Sequence, residues 1–213
     1  MDVGGLLEEV RFLSERKEGI DQKVIKQLIR KIPNSHQSGT VYHDITPIWK
    51  DYQYFDTSIK TMVALLSAPK TKFDVVVAIE AAGWIYGSAI AYALMKPFVP
   101  VVEVGTSMAD VKRSNALLPS AVETENYEML NEDDGKMHLQ SMVIHKDALE
   151  PGQKVVIVDE MIATGKSAEA TAHLIEKMGG SVEKIIALFD IEELGGCQYL
   201  KAVGYKVGTC VTY

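Results

Sequence analysis

The stretch VVIVDEMIATGKSAEA, residues 155–170, carries the strongest structural signal in the chain. It begins with four apolar residues that favour β-structure, continues with Asp159 and Glu160, and passes through a turn of small residues into a helical pattern. Gly165-Lys166-Ser167 is also how a Walker A loop ends, but that loop needs a glycine five residues before Gly165. Glu160 occupies that position, and its carboxylate would repel the phosphates. The stretch therefore predicts a strand, a ligand-binding loop and a helix, and it argues against a nucleoside triphosphatase.

The bulk composition limits the class of protein. The chain has 213 residues, of which 47% are hydrophobic, which suits one α/β domain with an appendage. The formal net charge of -7 argues against nucleic acid or an anionic membrane surface as partner. Two cysteines without CxxC or zinc-type spacing indicate neither a disulfide framework nor a structural metal. The N-terminus lacks a signal-peptide pattern and no membrane span is evident, so we expect a cytoplasmic protein.

The rest of the chain predicts alternating strands and helices. Strands are predicted at 73–79, 99–104, 154–158, 184–190 and 205–213, and helices at 55–66, 83–95 and 167–178. The β-α-β order predicts right-handed parallel crossovers. Two helices are expected within residues 1–31 and a shaped loop over 32–51. Residues 106–140 show no sustained period, so we predict a long mobile loop there, with at most a short hairpin.

The order of residues in the 155–170 stretch suits a sugar phosphate. Open α/β sheets bind ligands at the carboxyl edge of their strands. The amides of Thr164 to Ser167, at the positive end of a helix, suit a phosphate monoester. Asp159 and Glu160 are better explained as acceptors for sugar hydroxyls, or as groups acting on a developing positive charge and a nearby magnesium ion. A ribose 5-phosphate meets both demands, whereas the alternative is an acidic pair at a helix N-terminus that binds no ligand.

The same stretch resembles the signature of the type I phosphoribosyltransferases, which bind 5-phosphoribosyl 1-diphosphate. Within that family, KDALEPGQKVVIVDEMIATG (146–165) is similar to the adenine phosphoribosyltransferases. IPNSHQSGTVYHDITPIWKD (32–51) resembles their base-covering segment, and EAAGWIYG (80–87) resembles their diphosphate-binding loop. FDIEELGG (189–196) resembles their segment after the last core strand. The resemblance covers roughly residues 30–105 and 145–200.

The resemblance implies an α/β fold with a mostly parallel sheet flanked by helices. Residues 1–52 would form N-terminal helices and a small base-covering hood, and residues 53–213 the phosphoribosyltransferase core with its long flexible loop at 106–140. The implied activity is Mg²⁺-dependent transfer of phosphoribose to adenine, giving AMP and diphosphate in purine salvage. A homodimer is implied as well, with small-molecule substrates as the other partners.

The resemblance also assigns a role to individual residues. Asp159 and Glu160 would be catalytic and hold the ribose hydroxyls. The 5-phosphate would be bound by the small-residue turn and the helix start, that is Ala163, Thr164, Gly165, Lys166 and Ser167. The diphosphate and its magnesium would meet Glu80, Ala81, Ala82 and Gly83, so that magnesium is held through the substrate and not directly by the protein. Tyr42 would stack on the purine, with main-chain groups of Val41 and His43 reading its edge and Met161 closing the other face.

The chain departs from the family pattern in charge. Glu103 stands in the strand that usually leads into cations for the diphosphate, and Ala82 stands where the diphosphate loop commonly has Arg. Lys112 and Arg113 could compensate from the 106–140 segment, or Lys166 could add charge near the 5-phosphate. These departures keep two alternatives open. One is a phosphoribosyltransferase for a 6-oxopurine (hypoxanthine, guanine or xanthine), and the other is a regulatory protein that keeps the fold as a sensor without turnover.

Two further interpretations concern the segments Tyr127-Glu128 and Trp84-Ile85-Tyr86. Tyr127-Glu128 is the nearest candidate for the family's flexible-loop Tyr/Glu-Tyr-Gly element, although it is shifted. Trp84, Ile85 and Tyr86 are expected to be core or dimer contacts instead of substrate contacts.

Overall fold

A computed structural model describes residues 22–33, 41–66, 71–105, 122–131 and 136–213. The helices are α1 (Gln22–Leu28), α2 (Thr46–Lys50), α3 (Tyr52–Ala64), α4 (Ala82–Ala93), α5 (Lys166–Lys177) and α6 (Gly196–Ala202). The strands are β1 (Arg30–Pro33), β2 (Val41–Asp44), β3 (Val75–Ile79), β4 (Phe98–Gly105), β5 (Val122–Asn131), β6 (Lys136–His145), β7 (Lys154–Ile162), β8 (Ser181–Asp190) and β9 (Val207–Thr212). None of the helices in these described ranges is long and apolar enough to cross a membrane.

A seven-stranded sheet in the order β5-β6-β4-β3-β7-β8-β9 forms the centre of the molecule. Strands β4, β3, β7, β8 and β9 are parallel, and the hairpin β5-β6 adds two antiparallel strands beside β4. Parallel neighbours require long crossover connections, which α4, α5 and α6 provide. The prediction of a mostly parallel sheet flanked by helices is confirmed.

Helices cover both faces of this sheet. Along β3 all five residues are buried, because successive side chains point to opposite faces and each face is covered. Val76 and Ala78 pack on the side of α3 and α4, whereas Val75 and Val77 pack on the side of α5 and α6. Helix α4 lies especially close to β3, since a Cβ atom added to Gly87 would lie 2.4 Å from the Cβ atom of Ala78.

The segment 32–51 contains more regular structure than predicted. Strands β1 and β2 form a two-stranded antiparallel ribbon, and α2 follows it after one residue. The expectation of a loop without regular structure is therefore wrong for 32–33, 41–44 and 46–50. The ribbon is short and mostly exposed, so its sequence carries no alternation between apolar and polar residues. Residues 34–40 lie outside the described ranges, as do residues 1–21, where the first of the predicted N-terminal helices falls.

The segment 106–140 also differs from its prediction. Residues 122–131 and 136–140 belong to two ten-residue strands that pair along their whole length, so the expectation of a loop is wrong there. The strand VETENYEMLN is rich in residues that disfavour β-structure, and it is held by pairing with β6 and by burial of Val122 and Tyr127. Residues 106–121, including Lys112 and Arg113, and residues 132–135 lie outside the described ranges.

Candidate active site

The acidic pair lies at the carboxyl end of β7. Asp159 is 6% exposed, and its Oδ1 atom accepts a hydrogen bond from the backbone N–H of Glu160 at 2.9 Å. Burial raises the pKa of Asp159 well above its usual range, and the neighbouring charge of Glu160 raises it further. The Oε2 atom of Glu160 is buried and has no hydrogen-bond partner among the described residues. Such an oxygen is available to accept a hydrogen bond from a ligand.

The loop Glu80–Gly83, expected to meet the diphosphate, approaches this acidic pair closely. A Cβ atom added to Gly83 would lie 3.0 Å from Oδ1 of Asp159 and 3.1 Å from the carbonyl oxygen of Val158. A side chain at this position would crowd β7, so glycine favours the close approach of the first turn of α4. The tertiary structure therefore brings together two groups of predicted site residues that lie far apart in the sequence.

Hydrogen bonds to β3 and β4 hold this loop and the start of α4. The Glu80 N–H donates to the carbonyl oxygen of Val101 at 3.0 Å, and the Glu103 N–H donates to Oε2 of Glu80 at 3.1 Å. The indole N–H of Trp84 lies 3.0 Å from the carbonyl oxygens of both Ala78 and Val101. The peptide bond between Glu80 and Ala81 is cis. Trp84 is thus a core contact that ties the start of α4 to β3 and β4.

The predicted 5-phosphate loop, residues 163–167, joins β7 to α5. Gly165 has a φ of +81°, a left-handed conformation that favours glycine, and α5 begins at Lys166. The first amides of a helix are free to bind an anion, so this helix start is compatible with the predicted phosphate site. The Ala163 carbonyl oxygen accepts a hydrogen bond at 3.0 Å from the N–H of Gly196, the first residue of α6. The sequence pattern did not predict that the start of α6 supports the loop at residues 163–167.

The side chain of Lys166 is engaged by neighbours on α5 and α6. Its ammonium group lies 2.6 Å from the Tyr199 hydroxyl and 3.1 Å from Oε2 of Glu169, and it sits 4.0 Å from the centre of the Tyr199 ring. The hydrogen bond with Tyr199 and the charge of Glu169 raise the pKa of Lys166. Lys166 therefore contributes a backbone amide at the helix start, while its charge is balanced by Glu169.

The ribbon β1-β2 presents Val41, Tyr42 and His43. Val41 and Tyr42 are 43% and 52% exposed, so both leave surface for a ligand. The His43 ring packs edge-on against Tyr213, with 5.1 Å between ring centres. Asp44 anchors the end of the ribbon, because it pairs with Arg30 and accepts a hydrogen bond from the Thr46 N–H at 2.9 Å.

Met161, predicted to close the other face of the base, lies on β7 one residue after the acidic pair. It is partly buried and packs against the core cluster on the α3-α4 side of the sheet. The ribbon and Met161 stay predictions as a base site.

Carboxylates dominate the described part of this sheet edge. Burial raises the pKa of Glu103, with Glu80 and Glu160 adding to the effect, while a hydrogen bond from Tyr127 opposes it. No group of three or more His, Cys, Asp or Glu side chains in the described ranges is arranged to hold a metal ion. Tyr127, suggested from the sequence only as a shifted loop element, donates from its hydroxyl to Oε1 of Glu103 at 2.7 Å.

Comparison with known proteins gives consistent results. The family model of the phosphoribosyl transferase domain matches residues 54–212. The chain is 39% identical to the adenine phosphoribosyltransferase of Thermotoga neapolitana over 189 residues, which cover 89% of this chain and 99% of the relative. The crystal structure of adenine phosphoribosyltransferase from Thermoanaerobacter pseudethanolicus has a TM-score of 0.71 and 37% identity, covering 90% of this chain and 99% of that one. The Saccharomyces cerevisiae enzyme, solved with D-2,5-dideoxy-2,5-imino-altritol 1,6-bisphosphate and adenine, has a TM-score of 0.73 and 27% identity, covering 89% and 97%.

Proposed function

The chain belongs to the phosphoribosyltransferase family, and we propose that it transfers phosphoribose from 5-phosphoribosyl 1-diphosphate to adenine, giving AMP and diphosphate in purine salvage. The observation that carries the proposal is the close approach of Gly83 to Asp159. This contact places the loop Glu80–Gly83 beside the acidic pair, and the loop at residues 163–167 follows that pair directly. One substrate with a diphosphate, a ribose and a 5-phosphate would span these three parts. The resemblance to adenine phosphoribosyltransferases stated from the sequence is confirmed by the relatives.

The reaction needs positioning and charge more than covalent catalysis. The N9 atom of adenine forms a bond to C1 of the ribose while the bond from C1 to the diphosphate oxygen breaks. Diphosphate leaves with the bonding electron pair, and the N9 proton passes to solvent. The ribose ring gains positive charge as the bond breaks, and Asp159 and Glu160 would stabilise that charge. Holding base and sugar in line removes much of the entropic barrier.

Magnesium belongs to this proposal as an ion held mainly by the substrate. The residues fit such an ion, because Glu160 offers a buried oxygen without a described partner and the carboxylates nearby attract a cation. The loop Glu80–Gly83 would face the ion and its diphosphate. When bound, magnesium neutralises part of the diphosphate charge beside these carboxylates.

A cytoplasmic homodimer is the proposed form of the protein. An apolar stripe on α4 and the turn after it supports a second copy as partner, with Ile85, Tyr92 and Met95 exposed by 38%, 73% and 62%. Ile85 and Tyr92 are seven residues apart and so lie on one face of the helix. Light scattering of the purified protein tests this form, since a monomeric mass would contradict it.

An assay with four bases tests the function. Purified protein is given 5-phosphoribosyl 1-diphosphate, Mg²⁺ and adenine, hypoxanthine, guanine or xanthine, and nucleotide formation is measured. Adenine offers a donor at its 6-amino group and an acceptor at N1, whereas hypoxanthine reverses both. A site that hydrogen-bonds these groups is expected to prefer adenine by roughly 10⁴-fold in kcat/KM. Comparable values for hypoxanthine would replace the proposal with the 6-oxopurine alternative, and binding without any turnover would favour the sensor.

A further inference from the structure

Glu103 lies on β4, and its carboxylate is directed to a side chain of the outer hairpin. Oε1 of Glu103 accepts a hydrogen bond from the Tyr127 hydroxyl at 2.7 Å. Tyr127 is 8% exposed and lies in the middle of β5, opposite Gln140 of β6. The Tyr127 side chain therefore connects the outer strand β5 to β4 by a hydrogen bond, in addition to the backbone pairing of β6 with β4.

Glu103 is also connected to the loop Glu80–Gly83. The Glu103 N–H donates to Oε2 of Glu80 at 3.1 Å, and the Glu80 N–H donates to the Val101 carbonyl oxygen at 3.0 Å. Two hydrogen bonds therefore meet at Glu103: its carboxylate accepts from Tyr127, and its backbone N–H donates to Glu80 at the start of the predicted diphosphate loop. The backbone N–H of Glu103 thus holds the Glu80 carboxylate beside β4.

A direct contact between Glu103 and diphosphate is unfavourable. An ionised carboxylate only accepts hydrogen bonds, and diphosphate oxygens are acceptors as well. The Tyr127 hydroxyl donates to the Glu103 carboxylate, while burial and the charges of Glu80 and Glu160 raise the pKa of Glu103. A carboxylate in this setting is explained by the hydrogen bonds it makes within the protein.

We propose that Glu103 and Tyr127 are positioning residues for the diphosphate end of the substrate site. The Tyr127 hydroxyl holds the Glu103 side chain, and this fixes β4 where the Glu103 backbone N–H holds the Glu80 carboxylate. Glu80 in turn sets the position of the loop that meets the diphosphate. The hairpin β5-β6 then helps to position the diphosphate end of the site through Tyr127. This inference rests on the proposed function, because it assumes that the loop Glu80–Gly83 binds diphosphate.

The test compares ligands with and without a diphosphate. Tyr127→Phe and Glu103→Leu each remove the hydrogen bond between the two side chains, whereas Glu103→Gln keeps an acceptor and removes only the charge. Ser141→Ala is the matched control, since the Ser141 hydroxyl makes a 2.7 Å hydrogen bond to Asn126 within the same hairpin that does not reach the loop. Circular dichroism and thermal melting select variants that are folded at the assay temperature.

The expected result is a loss confined to the diphosphate end. KM for 5-phosphoribosyl 1-diphosphate and the calorimetric Kd for Mg²⁺-diphosphate rise roughly tenfold in Tyr127→Phe and Glu103→Leu, as for the loss of one hydrogen bond to a charged group. KM for adenine and Kd for AMP, neither of which carries a diphosphate, change by less than about twofold. Glu103→Gln recovers most of the affinity lost in Glu103→Leu, and the double variant Tyr127→Phe/Glu103→Leu loses no more than either single variant.

Several outcomes would overturn the inference. They are an unchanged or tighter diphosphate Kd in Tyr127→Phe, equal losses for AMP and diphosphate, a loss in Glu103→Gln as large as in Glu103→Leu, or the same loss in Ser141→Ala. If the wild type forms no AMP from adenine, the proposed function fails, and the binding measurements still decide the inference. A wild type that binds neither diphosphate ligand would overturn both.

Discussion

Replacing Gly196 with Ala should displace residues 163–167, the predicted 5-phosphate loop, because Gly196 packs directly against the backbone of this loop. A Cβ atom at this position would lie 2.3 Å from the carbonyl oxygen of Ala163, 2.7 Å from the backbone nitrogen of Gly165 and 2.8 Å from the carbonyl carbon of Thr164. All three atoms are backbone, so no side chain can rotate away. The oxygen must move by about 1 Å to reach an ordinary contact distance of 3.4 Å. That shift would also stretch the 3.0 Å hydrogen bond from the Gly196 N–H to Ala163.

The magnitude follows from this displacement. Overpacking against rigid atoms is expected to cost about 2–3 kcal/mol of unfolding free energy, near the top of the usual range. For a chain of this size the melting temperature should fall by roughly 5–10 °C. A displacement of this size in a ligand-binding loop is expected to weaken binding by on the order of 10²-fold. Because AMP and 5-phosphoribosyl 1-diphosphate both carry the 5-phosphate, both should lose affinity, whereas free diphosphate should not.

Calorimetric titration of each ligand measures the effect, with Gly204→Ala as the matched control. Gly204 lies just after α6 with a φ of +104°, and a Cβ atom there would meet nothing within 4 Å. Alanine at this position is strained by about 1–2 kcal/mol, so it lowers stability without pressing on the loop. The reasoning is refuted if folded Gly196→Ala binds AMP as well as the wild type, or if Gly204→Ala loses the same affinity.

Three other predictions test the remaining parts of the site. Asp159→Asn combined with Glu160→Gln should weaken AMP binding at least about tenfold, since charge-assisted hydrogen bonds to the ribose are each worth about 1.5–3 kcal/mol; an unchanged AMP titration of the folded variant would contradict this. Tyr42→Ala should weaken every purine by about 1–3 kcal/mol through lost stacking while the preference for adenine persists, as measured by kcat/KM for adenine and hypoxanthine. Burial and the charge of Glu160 raise the pKa of Asp159, so the folded protein holds this proton more tightly than the unfolded chain. This contribution to the stability of the ligand-free protein is present at low pH and is lost as pH rises above the ordinary Asp value of about 3.9. Thermal melts between about pH 5 and pH 8 should show the loss, and Asp159→Asn should flatten it.

Much of the candidate site could be predicted from the sequence because its signals are local. In residues 155–170 the apolar run, the acidic pair, the small-residue turn and the helical period follow one another without a gap. Each of these depends on neighbours a few residues away, which is the range over which a sequence pattern reports backbone conformation. The helix predicted over 167–178 is observed at Lys166–Lys177. The strand predicted over 154–158 begins where expected at Lys154 but continues through the acidic pair to Ile162.

Other features depend on contacts between distant parts of the chain. The hairpin β5-β6 was missed over most of its length because its acidic, polar strand is stabilised by pairing and by burial of Tyr127, which a local pattern does not report. Tyr127 and Glu103 are 24 residues apart, and Gly196 supports a loop that ends about thirty residues before it. In the sequence, Glu103 is a departure from the charge pattern of the family that the chain resembles. Its hydrogen bonds to Tyr127 and Glu80 form only because β3, β4 and β5 belong to one sheet. Residue order thus specifies which chemical groups are available, and the packing of strands and helices specifies which of them meet, because side-chain contacts depend on distance in space and not along the chain.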